Sequence, residues 1–294
     1  MKKKNFKQGN FAEVDQQRPT EAFKPNERPG FVYNQSVLTT STIEVKIDRQ
    51  AYDNRHVQGD EAIKKFVNAR KLEQKLREAH SKCAEWIEND NDVELMTFLS
   101  GNSDLMVSEI VDPNGKTLLH ECTFNDSAKC TKAVLLHARS QKIVPDRIAA
   151  WINQKDSGDG FTALHFASFK GNPELCELLI EGGADIYAKN NFGINMLHVA
   201  AQGDQPISIY FFKLRGLDLR SRDNRGSTPL HWAAYSKAEI TLVYLLSWVE
   251  FLDDQDCDGF TPLHLAVKSV ESLKSTRPVR SLLIRGASRH VVDN

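Results

Sequence analysis

Thr228-Pro-Leu-His231 and Thr261-Pro-Leu-His264 are two copies of one tetrapeptide, and they stand 33 residues apart. Related tetrapeptides precede them at Thr162-Ala-Leu-His165, Asn195-Met-Leu-His198 and Thr117-Leu-Leu-His120. Successive histidines are separated by 45, 33, 33 and 33 residues. A fixed period of this length indicates one structural unit that is repeated and stacked on its own copies.

Each unit has the features of two short helices that follow a tight turn. A threonine N-cap with proline at the first helical position favours a helix start, although Asn195-Met196 replaces this pair in one unit and leaves that start open. A second helix is predicted from paired apolar residues. A glycine that can take a positive φ precedes each tetrapeptide. These glycines are Gly115, Gly160, Gly193, Gly226 and Gly259, and the apolar pairs are Leu178-Leu179, Phe211-Phe212, Leu245-Leu246 and Leu282-Leu283.

This pattern resembles the ankyrin-repeat family over roughly residues 81–294. The resemblance implies an all-α solenoid whose helix-turn-helix units carry β-hairpin tips. Residues 81–111 would form a degenerate capping unit, and full repeats would start near residues 112, 156, 190, 223 and 256. The repeated histidines would hold the hairpin and the helix start by hydrogen bonds, which is a structural role for His120, His165, His198, His231 and His264.

Two units are longer than the period. The first has twelve additional residues, which we assign to a helical segment at Pro145–Ile152, and the last separates its helices by about five more residues at Glu271–Arg277. Insertions in repeat proteins lie in surface loops and often on a binding face. Both segments are therefore candidate specificity elements, with tolerated loops as the alternative.

The N-terminal flank divides into two parts. Residues 1–57 form a polar arm without sustained periodicity, which alone would be disordered. We expect it to become ordered along a neighbouring protein, with a short strand at Ser41 to Ile47 and with anchors at Phe6, Phe11, Phe23, Phe31, Val32 and Tyr33. Residues 58–88 predict one long amphipathic helix that merges into the first repeat. This helix either covers the open face of the first repeat or projects its N-terminal half as a docking arm.

Composition restricts the function. Lys and Arg number 38 against 39 Asp and Glu, a balance that gives no general attraction to nucleic acid or anionic lipid. The five scattered cysteines favour reduced thiols in a cytoplasmic protein, and a place in the cytoskeleton or another large assembly stays open. No apolar run is long enough to cross a bilayer, so we expect no membrane insertion by this chain.

The sequence offers little support for catalysis, metal binding or a cofactor. The repeated histidines occupy equivalent positions in successive layers and so cannot converge on a metal ion. We find no motif of a nucleophile elbow, a phosphate-binding loop or a zinc protease, and we expect no catalytic site and no cofactor. An arginine cluster at Arg215, Arg220, Arg222 and Arg225 is interrupted by acidic residues, so we interpret it as a solvated or protein-facing patch.

The resemblance places partner binding on the hairpin tips and on the exposed edge of the first helices. Residues at the tips would be Phe161, Phe192, Arg225 and Phe260, and residues on the helices would be Phe169, Lys170, Tyr235 and Lys268. Aromatic side chains bury large areas at small entropic cost, which suits an interface. The alternative is that some of them only pack between repeats.

The last two units also resemble the cytosolic ankyrin region of protein S-acyltransferases of the Asp-His-His-Cys type, particularly protist ones. In that family the stack recruits protein substrates and precedes membrane helices and a zinc-bound catalytic domain, none of which this sequence contains. Two functions therefore remain open, a scaffold or adaptor that binds a protein partner and the recruiting region of such an enzyme. We expect either a partner or further chain to cover the last apolar face after Val291-Val292-Asp293-Asn294.

Overall fold

A computed structural model describes the backbone of residues 56–141 and 144–294 and the side chains of residues 66–141 and 144–294. The chain forms two compact units, Met1–Asn68 and Ala69–Asn294. The predicted N-terminal arm, with its aromatic anchors and its strand, lies outside the described residues except for its last two. Those two residues begin the first helix.

The regular secondary structure of the described residues consists of helices, which turns and loops connect. The described residues contain thirteen α-helices and one 3-10 helix at Val107–Glu109. The α-helices are α1 (His56–Glu88), α2 (Asp92–Gly101), α3 (Leu118–Phe124), α4 (Ala128–Ser140), α5 (Pro145–Ile152), α6 (Ala163–Lys170), α7 (Pro173–Gly182), α8 (Met196–Gln202), α9 (Pro206–Leu214), α10 (Pro229–Tyr235), α11 (Glu239–Trp248), α12 (Pro262–Leu273) and α13 (Arg277–Arg285).

The helices of the second unit lie in two rows. The first helices of the full repeats, α3, α6, α8, α10 and α12, pack against one another in that order. The second helices, α4, α7, α9, α11 and α13, form the outer row, which α2 extends at its beginning. The core lies between the rows, where the tetrapeptide leucines Leu164, Leu197 and Leu230 are at most 1% exposed. The expected all-α solenoid is confirmed.

The turns at the tips differ from the expected β-hairpins. The described residues contain a single antiparallel bridge, between Val111 and Thr117, and no strand pairing that extends beyond one residue pair. In the third full repeat the Asn190 N–H donates to the Ile194 carbonyl at 3.0 Å. The return bond of a ladder is missing because the Ile194 N–H donates instead to Oδ1 of Asn190 at 2.9 Å. A side-chain acceptor thus replaces the second backbone acceptor and shortens the hairpin to a turn.

The helix start that the sequence left open is well capped. Oδ1 of Asn195 accepts hydrogen bonds from the N–H groups of Leu197 at 3.0 Å and His198 at 3.3 Å. Asparagine is among the best N-cap residues, so it performs the role that threonine has in the other repeats. Helix α8 therefore begins at Met196, in the same register as α10.

Both insertions add helical residues to their repeats. The first forms α5 at Pro145–Ile152, as predicted, and buries Trp151 and Ile152 against the stack. The second lengthens α12 to 12 residues, whereas α10 has 7, and Lys274 closes it in a left-handed conformation. The extra residues in the last repeat are thus largely helical.

The part of the long helix α1 that lies in the second unit is buried near its end. Within the second unit its side chains are exposed or half-buried from Ala69 to Glu78, and Leu72 is 46% exposed. Burial begins at Ala79 and continues with Cys83 and Ile87. Only the last turns of α1 therefore take the place of a first helix in the stack.

Candidate functional site

A histidine joins each full repeat to the next. Nδ1 of His165 accepts the backbone N–H of Thr162 at 3.2 Å, so the ring proton lies on Nε2. Nε2 then donates to the carbonyl oxygen of Ile194 in the following repeat, at 3.2 Å. His120 and His231 make the same pair of contacts, with the carbonyls of Phe161 and Phe260 as acceptors. Nε2 of His198 lies 3.1 Å from the carbonyl oxygen of Ser227, and its Nδ1 lies 2.7 Å from Oδ1 of Asn195.

These four histidines are neutral. Burial lowers the pKa of His120, His165, His198 and His231 to about 4. A neutral ring with one donor and one acceptor is what the two hydrogen bonds require. His264 makes the same contacts within its own repeat, to the N–H of Thr261 at 3.1 Å and to its hydroxyl at 2.9 Å. His120, His165, His198 and His231 therefore link each full repeat to the next, whereas the contacts of His264 with Thr261 stay within its own repeat.

An acidic or amide side chain fixes each turn, a role that the sequence motifs did not predict. Oδ1 of Asp223, for example, accepts from the N–H groups of Arg225 and Ser227, both at 2.9 Å. The equivalent oxygens belong to Asp112, Asp156, Asn190 and Asp256. The available signal was an Asp or Asn three or four residues before every turn glycine. These bonds hold the tips in one conformation.

The first helices present one side chain each on a common surface, which we call the inner face. These side chains lie four residues after each repeated histidine and are Phe124, Phe169, Gln202, Tyr235 and Lys268. In an α-helix such a position is one turn further along the same side. All five are half-buried or exposed. The inner face thus offers aromatic, amide and cationic groups in a single row.

Lysines lie over aromatic rings at the beginning of the inner face. Nζ of Lys170 is 4.9 Å from the ring centre of Phe124, and Nζ of Lys116 is 5.6 Å from the same ring. Phe124 in turn packs edge to face on Phe166 at 6.1 Å. Neither Phe124 nor Lys116 was predicted from the sequence, although Phe124 occupies the repeat position of Phe169. The available signal for Phe124 was its place four residues after His120.

The structure separates the eight predicted binding residues into two groups. Phe161 and Phe260 are only 5% and 7% exposed, so the surface position expected for them is wrong. The residue after the turn glycine supplies the carbonyl that accepts the histidine of the preceding repeat, and its side chain is held between repeats. Ile194 and Ser227, at the same position, are each 4% exposed.

The other six lie at the surface to different degrees. Lys170, Phe192 and Lys268 are exposed, whereas Phe169, Arg225 and Tyr235 are half-buried. All three cations are already engaged within the chain, since Lys170 lies over the Phe124 ring. Nζ of Lys268 lies 3.4 Å from the ring centre of Phe260, and Arg225 forms an ion pair with Asp258 at 2.8 Å.

The sequence profile described as ankyrin repeats, in three copies, matches residues 82–190, 141–223 and 197–291. Together these matches cover more than half of the chain. The chain belongs to the ankyrin-repeat family.

Individual relatives match shorter stretches. Ankyrin repeat and SOCS box protein 3 of Bos taurus is 47% identical over 51 residues, which is 17% of this chain and 10% of the relative. Palmitoyltransferase AKR1 of Lachancea kluyveri is 34% identical over 97 residues, which is 33% of this chain and 12% of the enzyme. The resemblance to the ankyrin region of protein S-acyltransferases is thereby confirmed, and the chain matches only a small part of either relative.

A solved structure supports the fold. The ankyrin repeat domain of human ASB11 superimposes with a TM-score of 0.58 at 19% identity. The alignment covers 72% of this chain and 86% of that domain. At this identity the likeness concerns the ankyrin fold alone.

The arginines of this ankyrin stack form ion pairs between repeats. Arg220 binds both carboxylate oxygens of Asp254, at 2.7 and 2.6 Å, and Arg222 reaches the same carboxylate at 3.2 Å. Arg215 pairs with Glu177. The guanidinium groups of this cluster are thus paired with carboxylates of the neighbouring repeats.

The described part of the ankyrin stack shows no grouped metal ligands, since no three His, Cys, Asp or Glu side chains are arranged to hold an ion there. Among the described helices, none is long and apolar enough to span a membrane. Burial raises the pKa of the Cys83 and Cys176 thiols to about 12, which leaves them protonated and unreactive at neutral pH. Cys257 is exposed.

Proposed function

We propose that this ankyrin stack is a non-enzymatic scaffold or adaptor that binds a protein partner on its inner face. An ankyrin-repeat stack is a protein-interaction module, and its inner row carries the residues that support a specific site here. The single observation that carries the proposal is the row of side chains four residues after each histidine, in which Phe124, Phe169 and Tyr235 lie on a rigid support.

Rigidity supports the proposal because a preorganised surface loses little entropy on binding. The histidine links fix the distance between first helices, and the turn carboxylates fix the tips. Phe192, 46% exposed at one tip, adds an aromatic side chain beside the row. Aromatic residues on a fixed frame are the usual anchors of protein interfaces.

Cations adjacent to the aromatic rings determine the partner that fits best. Lys116 and Lys170 are close to Phe124, and Lys268 lies over Phe260. We propose a partner segment with apolar side chains for the rings and acidic side chains for these lysines. The protein would act in the cytoplasm, where its cysteines stay reduced, as a component of a larger assembly.

Affinity purification of the full chain, followed by mass spectrometry, identifies the partner. The proposed site is then tested with Phe169→Ala and Tyr235→Ala combined, since both side chains lie at the surface of the row. We expect the affinity for the partner to fall about a hundredfold while the thermal unfolding midpoint changes little. Tyr187→Ala, at an exposed residue outside the inner face, is the matched control and should bind like the wild type. Unchanged binding by the folded double variant would reject the inner face.

The alternative is a substrate-recruiting region of a membrane protein S-acyltransferase. The observation that favours it is the 34% identity to palmitoyltransferase AKR1 over a third of the chain. Determining the reading frame after Asn294 in the transcript tests it directly. Apolar helices and a cysteine-rich domain encoded downstream would support the enzyme, and a stop codon would support the scaffold.

A further inference from the structure

The outer row of the stack carries an exposed apolar surface that the proposed function does not use. On α9 and α11 the exposed side chains recur every three to five residues, which places them on one side of each helix. They are between 48% and 65% exposed. We call them the outer patch, which consists of Ile207, Tyr210 and Leu214 on α9 and Ile240, Val243 and Trp248 on α11.

The two halves of the outer patch are continuous. Nζ of Lys213 on α9 lies 3.1 Å from the ring centre of Trp248 on α11. The Trp248 ring also packs against Tyr244 at 6.2 Å. Helices α9 and α11 are also direct neighbours in the outer row. The six residues therefore form one surface.

The size of the outer patch is that of an interface. Six large side chains at these exposures present on the order of 700 Å² of surface, and a stable dimer buries about 800 Å² on each partner. Monomeric soluble proteins seldom leave a contiguous apolar area of this size in water.

Charged edges flank the outer patch, and they have opposite signs. Glu174 and Glu177 on α7 stand 33 residues before Ile207 and Tyr210, at the same repeat positions. On the other side, alignment of the buried Leu245 with the buried Leu282 makes Arg277 and Arg280 of α13 equivalent to Ile240 and Val243. Within the chain Glu177 pairs with Arg215, and Arg277 pairs with Glu239. The charge of the acidic border therefore rests on Glu174 and that of the basic border on Arg280.

We propose that the outer patch is the interface of a symmetric homodimer whose two-fold axis runs parallel to the outer helices. This axis places α9 of one copy against α11 of the other and brings the acidic edge opposite the basic edge. A two-fold axis across the helices would instead oppose edges of like charge. The self-complementary charge pattern is what selects a second copy as the occupant. The inner faces of both copies lie outside this interface.

The edges contain charges that are available for contacts between subunits. Glu174 and Arg280 are both exposed, and neither forms an ion pair within the described residues. Two helices lie between them in one chain, so a direct interaction between them requires Arg280 of the partner subunit.

Sedimentation velocity on the full chain tests the dimer. We expect a species of twice 33.2 kDa at tens of micromolar protein. Leu214→Glu should shift the population to monomer because it buries a carboxylate in the interface. Leu136→Glu changes an exposed leucine on α4 and should leave the dimer intact. A wild-type chain that stays monomeric, or a dimer that Leu214→Glu leaves unchanged, overturns the proposal.

A charge exchange tests the orientation. Glu174→Arg and Arg280→Glu should each raise the dimer dissociation constant about tenfold, because each opposes like charges. The double variant restores opposite signs at both contacts and should dimerise like the wild type. If the double variant is no better than the singles, the proposed axis is wrong. Binding of monomeric chain to anionic vesicles through this patch would likewise contradict the dimer.

Discussion

Nε2 of His165 lies 3.2 Å from the carbonyl oxygen of Ile194, which belongs to the next repeat. The same ring holds the start of its own helix through Nδ1 and Thr162. One side chain therefore couples the local geometry of a helix to the stacking of two repeats. This coupling explains why histidine, with a donor and an acceptor on opposite sides of one rigid ring, recurs at this position.

The first prediction concerns this link. His165→Leu keeps a similar volume and removes both hydrogen bonds. The buried N–H of Thr162 then loses its acceptor on the ring, and the contact with the next repeat is weakened. We expect a loss of about 2–3 kcal/mol in the free energy of unfolding, measured by urea denaturation at neutral pH. His290→Leu alters an exposed histidine and should be neutral. Equal stability of the two variants would show that the link is not stabilising.

The second prediction is the pH dependence of stability. The four histidines that link repeats, His120, His165, His198 and His231, have a folded pKa of about 4, below the value near 6.5 in an unfolded chain. The unfolded state therefore binds protons first, and stability present above pH 6.5 is lost as the pH falls towards 4. Each histidine contributes about 3 kcal/mol to this loss. We expect the protein to unfold as the pH falls from 6.5 to 4, and circular dichroism measures this transition.

Two aspartates act in the opposite direction. Burial raises the pKa of Asp156 and Asp256, which favours the folded state at the acid end of the window. The histidines are more numerous, and in the unfolded state they already bind protons near pH 6.5, so they set the outcome. Stability that is constant down to pH 4 would contradict neutral, buried histidines.

The third prediction concerns a turn. Gly193 has φ +74°, and a Cβ there would lie 2.8 Å from the backbone nitrogen of Asn224. Gly193→Ala should therefore lower the thermal midpoint by several degrees, equivalent to more than about 1 kcal/mol. Gly101→Ala meets no atom within 4 Å and should have no such effect. A tolerated Gly193→Ala would indicate that the turns are not tightly stacked.

The fourth prediction tests the asparagine cap. Asn195→Ala removes the acceptor for two helix amides and should cost about 1 kcal/mol, seen in the urea midpoint. Asn195→Thr supplies the residue that caps the other repeats and should recover most of the loss. If alanine and threonine behave alike, the cap contributes nothing.

The fold followed from the sequence because its deciding signal is repeated. Five histidines in register fixed the solenoid, and threonine followed by proline placed helix starts, whereas Asn195-Met196 left one start open. The sequence did not predict which single side chains are exposed. Phe161 and Phe169 look equally suitable for binding in the sequence, yet the carbonyl of Phe161 is bonded to His120 and its side chain is drawn between repeats.

The outer patch escaped prediction for a related reason. Ile207 and Ile240 lie in apolar stretches that are typical of a core, and only the packing of α9 on α11 shows which side of each helix is left uncovered. Phe124 was missed although it follows His120 by the same four residues that separate Phe169 from His165. Local sequence thus predicts the unit, whereas the neighbours of each unit decide what is exposed.

The most direct test of the central claim is the affinity of the purified partner for the full chain and for the Phe169→Ala, Tyr235→Ala double variant, measured by isothermal titration calorimetry. An inner-face binding module predicts about a hundredfold loss of affinity in a variant with native circular dichroism. An affinity equal to that of the wild type would contradict binding at the inner face.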